Sequence, residues 1–551
     1  MLITTRPPAL RAPALLAALS LLAGVGLTAC SSSSGSATGG AGAASSALTF
    51  AADSEPACVD PAVSPRDVTA LIDRNIFDSL VNDAPGGTIK PWLAKSWTVS
   101  GDGKTYVFHL RTGVRFHDGT ALDATAVKAT LDHAVDPKTK STYAAGLLSA
   151  YKSSTAIDAS TVKVSLSRPD AALLQSLSTA FLGIQSAKAL RRSAAQLCGA
   201  PIGSGPFEFV SWTKKQSMVL KQNPAYDWGP PSAQHTGPAH LKTLTIRFIE
   251  ENTVRVGALN SGEVDVVGGL PAPNIKSLQK SSRIQVLSAQ APGGVYSLHF
   301  NPAPGGPLSD KRVRTALLRS VDLTQLVKSV DFGAYDRAWS ELGPRTPGYD
   351  ASMQGSWPYD PDLAGQLLDQ AGWTQRDSAG YRVRNGKELT LRWPYVAAIL
   401  REQRDVLGQG IVAQAKKVGI RINRVAVDVG TYSQDVFAGK AEIWDASNVR
   451  ADPDILRTLF ASDQTLDKGG LNVFRVKDPQ IDAWLRAGAT ATDPAARAAE
   501  YVKVQRRLRD LALDMPVYVP TYYVGAAKKV HGLAFEAAAY PLFYDVSVGG
   551  A

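Results

Sequence analysis

The sequence predicts an α/β protein of more than one lobe, and three observations carry that reading. Extended and helical patterns alternate along the body. Once an apolar leader is set aside, about 520 of the 551 residues remain, more than one core holds at ~100–200 residues per domain. No second apolar run reaches the roughly 20 residues that a membrane-spanning helix needs.

The leader comes first. Arg6 and Arg11 precede an uncharged run rich in Ala, Leu and Gly over 14–29, with no acid between, the layout of a secretory signal peptide over 1–29. The run ends in Leu27-Thr28-Ala29-Cys30, which resembles the lipobox of bacterial lipoproteins and implies that Cys30 is diacylated and becomes the new N-terminus. A transmembrane anchor is the competing reading, against which Pro13 and the shortness of the run weigh. Residues 30–47 then read as the lipidated cysteine and a tether, since the Ser, Gly, Ala and Thr of 31–46 bury too little apolar surface to order themselves.

The body follows as strand 48–52, a loop carrying Asp53, Glu55 and Asp60-Pro61, and a helix over 68–80 with apolar residues at helical spacing. Segments 97–100 and 106–110 flank Gly101-Asp102-Gly103 and read as an antiparallel hairpin. Phe116-His117-Asp118-Gly119-Thr120 is a second turn, leading into a helix that begins near Asp123. Strand 161–166 precedes a Leu-rich helix. Beyond strand 243–249 the helices are expected over 312–330, 361–371, 401–418 and 494–513.

Composition narrows the function. Hydrophobic residues make up 44% of the chain, with 10 Trp, 17 Tyr and 15 Phe, enough to fill cores and line a ligand cleft. The formal charge is +10, or +8 without the two leader arginines, but the basic residues are scattered. The groups Lys311-Arg312-Val313-Arg314 and Arg506-Arg507-Leu508-Arg509 fall in helical patterns and read as solvated faces, so no nucleic-acid partner is expected. Setting Cys30 aside leaves Cys58 and Cys198, both in Pro/Gly-rich loop sequence of an exported chain, and a disulfide is favoured over two unrelated thiols.

Enzyme signatures are missing. Gly103-Lys104-Thr105 lacks the glycine five residues earlier that a phosphate loop requires, because Thr98 stands there. The seven histidines form no His-Glu-x-x-His or Cys/His ligand set, and no Gly-x-Ser-x-Gly elbow occurs. The expectation is no catalysis, no metal and no cofactor.

A family resemblance covers about 48–525. The block Pro91-Trp92-Leu93-Ala94-Lys95-Ser96-Trp97, then Asp102-Gly103-Lys104-Thr105-Tyr106-Val107-Phe108-His109-Leu110-Arg111, then Gly113-Val114-Arg115-Phe116-His117-Asp118-Gly119-Thr120, resembles the signature of family 5 extracellular solute-binding proteins. Later matches are Gly203-Ser204-Gly205-Pro206-Phe207, Gly262-Glu263-Val264-Asp265-Val266, Tyr359-Asp360-Pro361, Asp452-Pro453-Asp454 and Met515-Pro516-Val517-Tyr518. The resemblance implies a two-lobed periplasmic-binding-protein-like fold (type II, cluster C) with a hinge between lobes. It implies lobe I over 48–295 with an extra subdomain at about 90–200, lobe II over 296–519, and a return to lobe I over 520–551. It further implies a monomeric receptor, anchored outside the cytoplasmic membrane, that encloses a solute by hinge closure and passes it to the permease of an ABC importer.

The solute is less legible. In peptide-binding members an aspartate four residues before the Asp-Pro proline pairs with the α-amino group, and a tryptophan packs nearby; here Val449 and Ala446 occupy those places. Recognition should therefore not depend on a free α-amine unless Asp445, Asp53 or Glu55 takes over. Candidate cleft residues are Trp444, Asp445, Asn448 and Arg450 in lobe II, Asp53 and Glu55 after the first strand, and Tyr296 and Asn301 near the crossover. Each has the plainer alternative of a strand or loop role. A non-peptide solute (an oligosaccharide, an opine-like compound or a metal chelate) and a non-transporting sensor or adhesin are the competing functions.

Overall fold

The computed structural model of the protein describes residues 46–84, 87–141, 143–397, 400–468 and 470–549. The expected leader, Cys30 and all of the tether up to residue 45 lie outside the described residues. Among the described residues, no helix is long and apolar enough to cross a membrane.

The larger sheet has seven strands in the order Ile284–Gln290, Thr521–Ala527, Val266–Gly268, Ala47–Ala52, Thr243–Phe248, Ser217–Gln222 and Phe207–Thr213. Ala47–Ala52 lies centrally and runs parallel to both neighbours, with Phe50 opposite Ile246 on one side and Val266 on the other. A central parallel strand is covered on both faces, which is why Phe50, Ala51 and Ala52 are all buried. A second sheet, Ala94–Val99, Thr105–Leu110, Thr161–Leu166 and Tyr151–Asp158, is antiparallel throughout. Its first hairpin turns at Ser100–Gly103, where the Gly103 amide donates to the Ser100 carbonyl and Gly103 adopts φ 66°.

The other principal core surrounds strand Gly293–Phe300, flanked by Ile443–Val449 and Asp514–Tyr518. Beside it, Thr390–Tyr395 and Arg421–Ala426 run parallel with helix Arg404–Lys417 between them in sequence. This is a βαβ unit, and it places the helix N-terminus beyond the carboxyl end of Thr390–Tyr395. The chain passes from the seven-stranded sheet to the three-stranded one at 290–293 and returns at 518–521.

Cys58 and Cys198 are bonded, with the Val59 amide donating to the Cys198 carbonyl at 3.1 Å beside the bridge. The staple ties the loop after the first strand to helix Ala194–Gly199, whose start carries a Ser193/Gln196 capping box.

Three expected helices differ in the structure. The one over 312–330 is two, Lys311–Arg319 and Leu323–Val330, because the Asp322 carboxylate accepts from the Gln325 amide and starts a new helix. The first helix spans Asp67–Ile76 rather than 68–80, since the chain turns extended at Phe77 and Asp78 takes up Ser204, Tyr226 and Trp228. The helix expected from 401 begins at Arg404, because Glu402 and Gln403 are left-handed (φ 55° and 56°). The solvated-face reading also fails at Arg314, which is buried and donates to the carbonyls of Leu308, Ser309, Leu511 and Ala512.

Candidate functional site

Where the strand ends of the seven-stranded and the three-stranded sheet approach, charged and aromatic side chains collect. On one wall Asp53 follows the central strand, beside the turn Gly268-Gly269 and Tyr522. A Cβ on Gly268 would lie 2.2 Å from the Tyr522 hydroxyl, and one on Gly269 (φ 60°) would lie 2.4 Å from Asp53 Oδ2. Only glycine leaves room for both groups. Buried Arg255 fixes this turn, donating from Nε to the Gly268 carbonyl (3.1 Å) and from Nη2 to that of Gly269 (2.8 Å). Burial and then Asp53 and Asp67 push the Tyr522 phenol well up, with Arg255 and Arg401 acting against them, which puts all four charges within electrostatic reach of the ring.

The facing wall is built on the left-handed pair ahead of helix Arg404–Lys417. Arg404 donates from Nε to the Tyr518 hydroxyl (2.8 Å) and from Nη2 to Glu402 Oε2 (2.7 Å) and Ser447 Oγ (2.8 Å). Its guanidinium lies 4.2 Å from the centre of the Tyr296 ring. Burial would raise the Glu402 carboxyl, but Arg404, Arg401 and the Tyr518 hydroxyl outweigh it and hold it at about 2. Glu402 is thus a fixed anion. Arg401 reaches the other wall, with Nη1 at 2.9 Å from Asp67 Oδ2, while the Tyr540 hydroxyl donates to Asp67 Oδ1 at 2.7 Å. A backbone bond from the Ala171 amide to the Ala489 carbonyl (2.9 Å) also joins the two sides.

The residues singled out from the sequence fall in different places. Asp53 is exposed on the first wall, and among the described residues its carboxylate accepts only from Ser54 Oγ (3.1 Å). Tyr296 and Asp445 meet beneath Arg404, where Asp445 accepts from the Tyr296 hydroxyl (2.9 Å) and Trp393 Nε1 (2.7 Å). Asn448 is half-buried opposite Gly294. Arg450 is buried, with its amide on the Pro292 carbonyl and its side chain within electrostatic reach of Tyr143 and Asp170 from the other side. Trp444 stacks on His299 at 4.8 Å and lines a small apolar cavity with Phe460 and Leu459. Glu55 accepts on one oxygen from Trp212 Nε1 (2.9 Å) and the Lys215 amide (3.0 Å). Asn301 holds a turn through the Gly439 and Ala441 carbonyls.

Sequence reasoning missed Asp67, Arg401, Glu402, Arg404 and Tyr522. The helical pattern over 401–418 takes Arg401-Glu402 into its first turn. The signal available was the pair of arginines, Arg401 and Arg404, at a helix start, where the helix dipole disfavours cations.

The model of the middle region of bacterial extracellular solute-binding proteins, family 5, matches residues 88–466. The chain is 28% identical over 502 residues to heme-binding protein A of Haemophilus influenzae, covering 87% of each. It is also 28% identical over 535 residues to a dipeptide-binding protein of Pseudomonas aeruginosa, covering 92% of this chain and 95% of that protein. Among solved structures it resembles NikA from Brucella suis in complex with Fe(III)-EDTA, with a TM-score of 0.80 and 24% identity over 91% of this chain and 99% of that one. It likewise resembles DppA from Helicobacter pylori in complex with the peptide STSA, with a TM-score of 0.76 and 25% identity over 92% and 98%.

Proposed function

The chain belongs to the bacterial extracellular solute-binding proteins of family 5, and on that footing we propose that it captures a peptide or peptide-like solute in the cleft and delivers it to an ABC transporter permease. The observation that carries this reading is the pair of unlike charges facing each other across the cleft, Arg401 from one side and Asp67 from the other. A zwitterionic solute that parts this pair meets both, offering a carboxylate to the guanidinium and a cation to the acid. Closure desolvates these contacts and strengthens them, which ties binding to the closed state. The dipeptide-binding relative supports the peptide class. The heme-binding relative keeps a chelate in view.

In this reading the work is binding rather than catalysis, and the protein acts as a monomer. It is held outside the cytoplasmic membrane through a lipid on Cys30, with Asp53, Tyr296, Asp445, Asn448 and Arg450 contributing to the cleft. Native mass spectrometry of the gently purified protein tests it directly. A retained mass that fragments as a peptide is the expected result; a sugar or a metal chelate would overturn the peptide assignment.

A further inference from the structure

Asp331 directly follows helix Leu323–Val330. It is 0% exposed, yet neither carboxylate oxygen has a hydrogen-bond partner. Its amide closes the helix on the Val327 carbonyl at 2.9 Å, so the acid stands at the negative end of the helix dipole, a position that disfavours an anion and favours a cation. Tyr335 stands close by, with its ring centre 5.2 Å from that of Tyr518 and 6.0 Å from that of Tyr523.

Of the charged groups on these elements, Arg337 is engaged by the carbonyls of Ala338, Pro516 and Val517. Glu402 is paired with Arg404, and Arg401 with Asp67. Asp331 is the acid left over, and burial followed by Glu402 pushes it up to about 7. A divalent metal does not suit the place: Glu402 is already committed to Arg404 and Tyr518, and among the described residues no group of three or more His, Cys, Asp or Glu is placed to hold one.

Resting on the reading of a peptide-like solute, we propose that Asp331, with the rings of Tyr335, Tyr518 and Tyr523, is a subsite for the protonated amine of a basic side chain of the solute. An ammonium there donates to the two free carboxylate oxygens and lies against ring faces that attract a cation. Docking favours the ionised acid, so a proton still held by Asp331 leaves to solvent as the amine enters. The subsite therefore selects for positive charge rather than for length.

The test is calorimetry with the peptide Ala-Lys-Ala and its norleucine counterpart, on the wild-type protein and Asp331→Asn. The expected result is a preference of about tenfold or more for the lysine peptide in the wild type, reduced to within about twofold in the variant. Equal binding by the wild type, or a preference that survives in Asp331→Asn, would overturn the proposal. If neither peptide binds, the peptide reading fails, and n-butylammonium decides the subsite. A rise in Tm of the wild type that Asp331→Asn lacks and 1-butanol does not reproduce supports it, and no such rise refutes it. Tyr335→Leu is read in the same way should Asp331→Asn fail to fold.

Discussion

Arg401 and Asp67 are separated by 334 positions in the chain and meet as an ion pair of 2.9 Å across the cleft. Both side chains remain more than a third exposed, at 48% and 38%, so solvent screens the pair and its worth to folding is under about 1 kcal/mol. Arg401→Ala should leave the urea midpoint nearly unchanged while weakening solute binding by about tenfold or more. Denaturation and calorimetry on the same preparation check both halves. A large stability loss with unchanged affinity would remove Arg401 from the site.

Of the three carboxylates that stand to replace an amino-group anchor, Asp445 accepts from Tyr296 and Trp393, one on each oxygen, and Glu55 accepts from Trp212 and the Lys215 amide on one oxygen. Asp53 is the exposed one of the three, and its carboxylate accepts only from the neighbouring Ser54 hydroxyl among the described residues. N-acetylation of a bound peptide should therefore change its affinity by less than about threefold in Asp53→Asn. Gly269→Ala, whose Cβ would come within 2.4 Å of Asp53 Oδ2, should lower affinity along with a stability cost of about 1 kcal/mol for the left-handed alanine. Calorimetry with matched free and acetylated peptides is the check.

Glu341 and Asp514 form a buried acid pair faced by Ser297, His299 and Asn448, with no cation among them. Burial, then Asp514, raises Glu341 well above the usual range, and burial raises Asp514 to about 6. Burial also drives His299 down to about 3, which keeps it neutral. Because the native pair holds its protons more tightly than the unfolded chain, its contribution is complete below about pH 4 and is lost as pH rises, for Asp514 through about 6 and for Glu341 above that, which outweighs the opposite slope of the single neutral His299. Tm should therefore fall between those values, and Asp514→Asn should flatten the profile. An unchanged slope would count against the assignment.

The Cys58–Cys198 bridge spans 140 residues. Reduction should lower stability by about 2–5 kcal/mol, read as a drop in the urea midpoint after treatment with dithiothreitol. Alkylatable thiols at both sites in the untreated protein would contradict the bridge.

If Cys30 carries the lipid, Cys30→Ser should move the protein from the membrane fraction to the soluble one. Retention at the membrane without lipid on that residue would refute the anchor.

Patterns of short range were legible in the sequence. The alternation of Tyr106-Val107-Phe108-His109-Leu110 around a Gly-containing turn marked the hairpin, and it formed, because register there depends on neighbours a few residues away. Tyr296 and Asp445 were both singled out as candidate residues, yet nothing in the sequence said that they bond to each other.

By itself the sequence determined the alternating α/β order, the turns, most helix starts and the two cysteines free to pair, because each rests on local spacing or on simple counting. The tertiary structure decided which charges are matched. Glu402 and Gln403 read as helical and are instead left-handed, which turns Arg401 toward Asp67 and Arg404 toward Tyr296. Asp331 reads as an ordinary residue after a helix and is instead a buried acid without a partner. Burial and charge pairing belong to segments hundreds of residues apart, and only the packing of their strand ends brings them within a few ångströms.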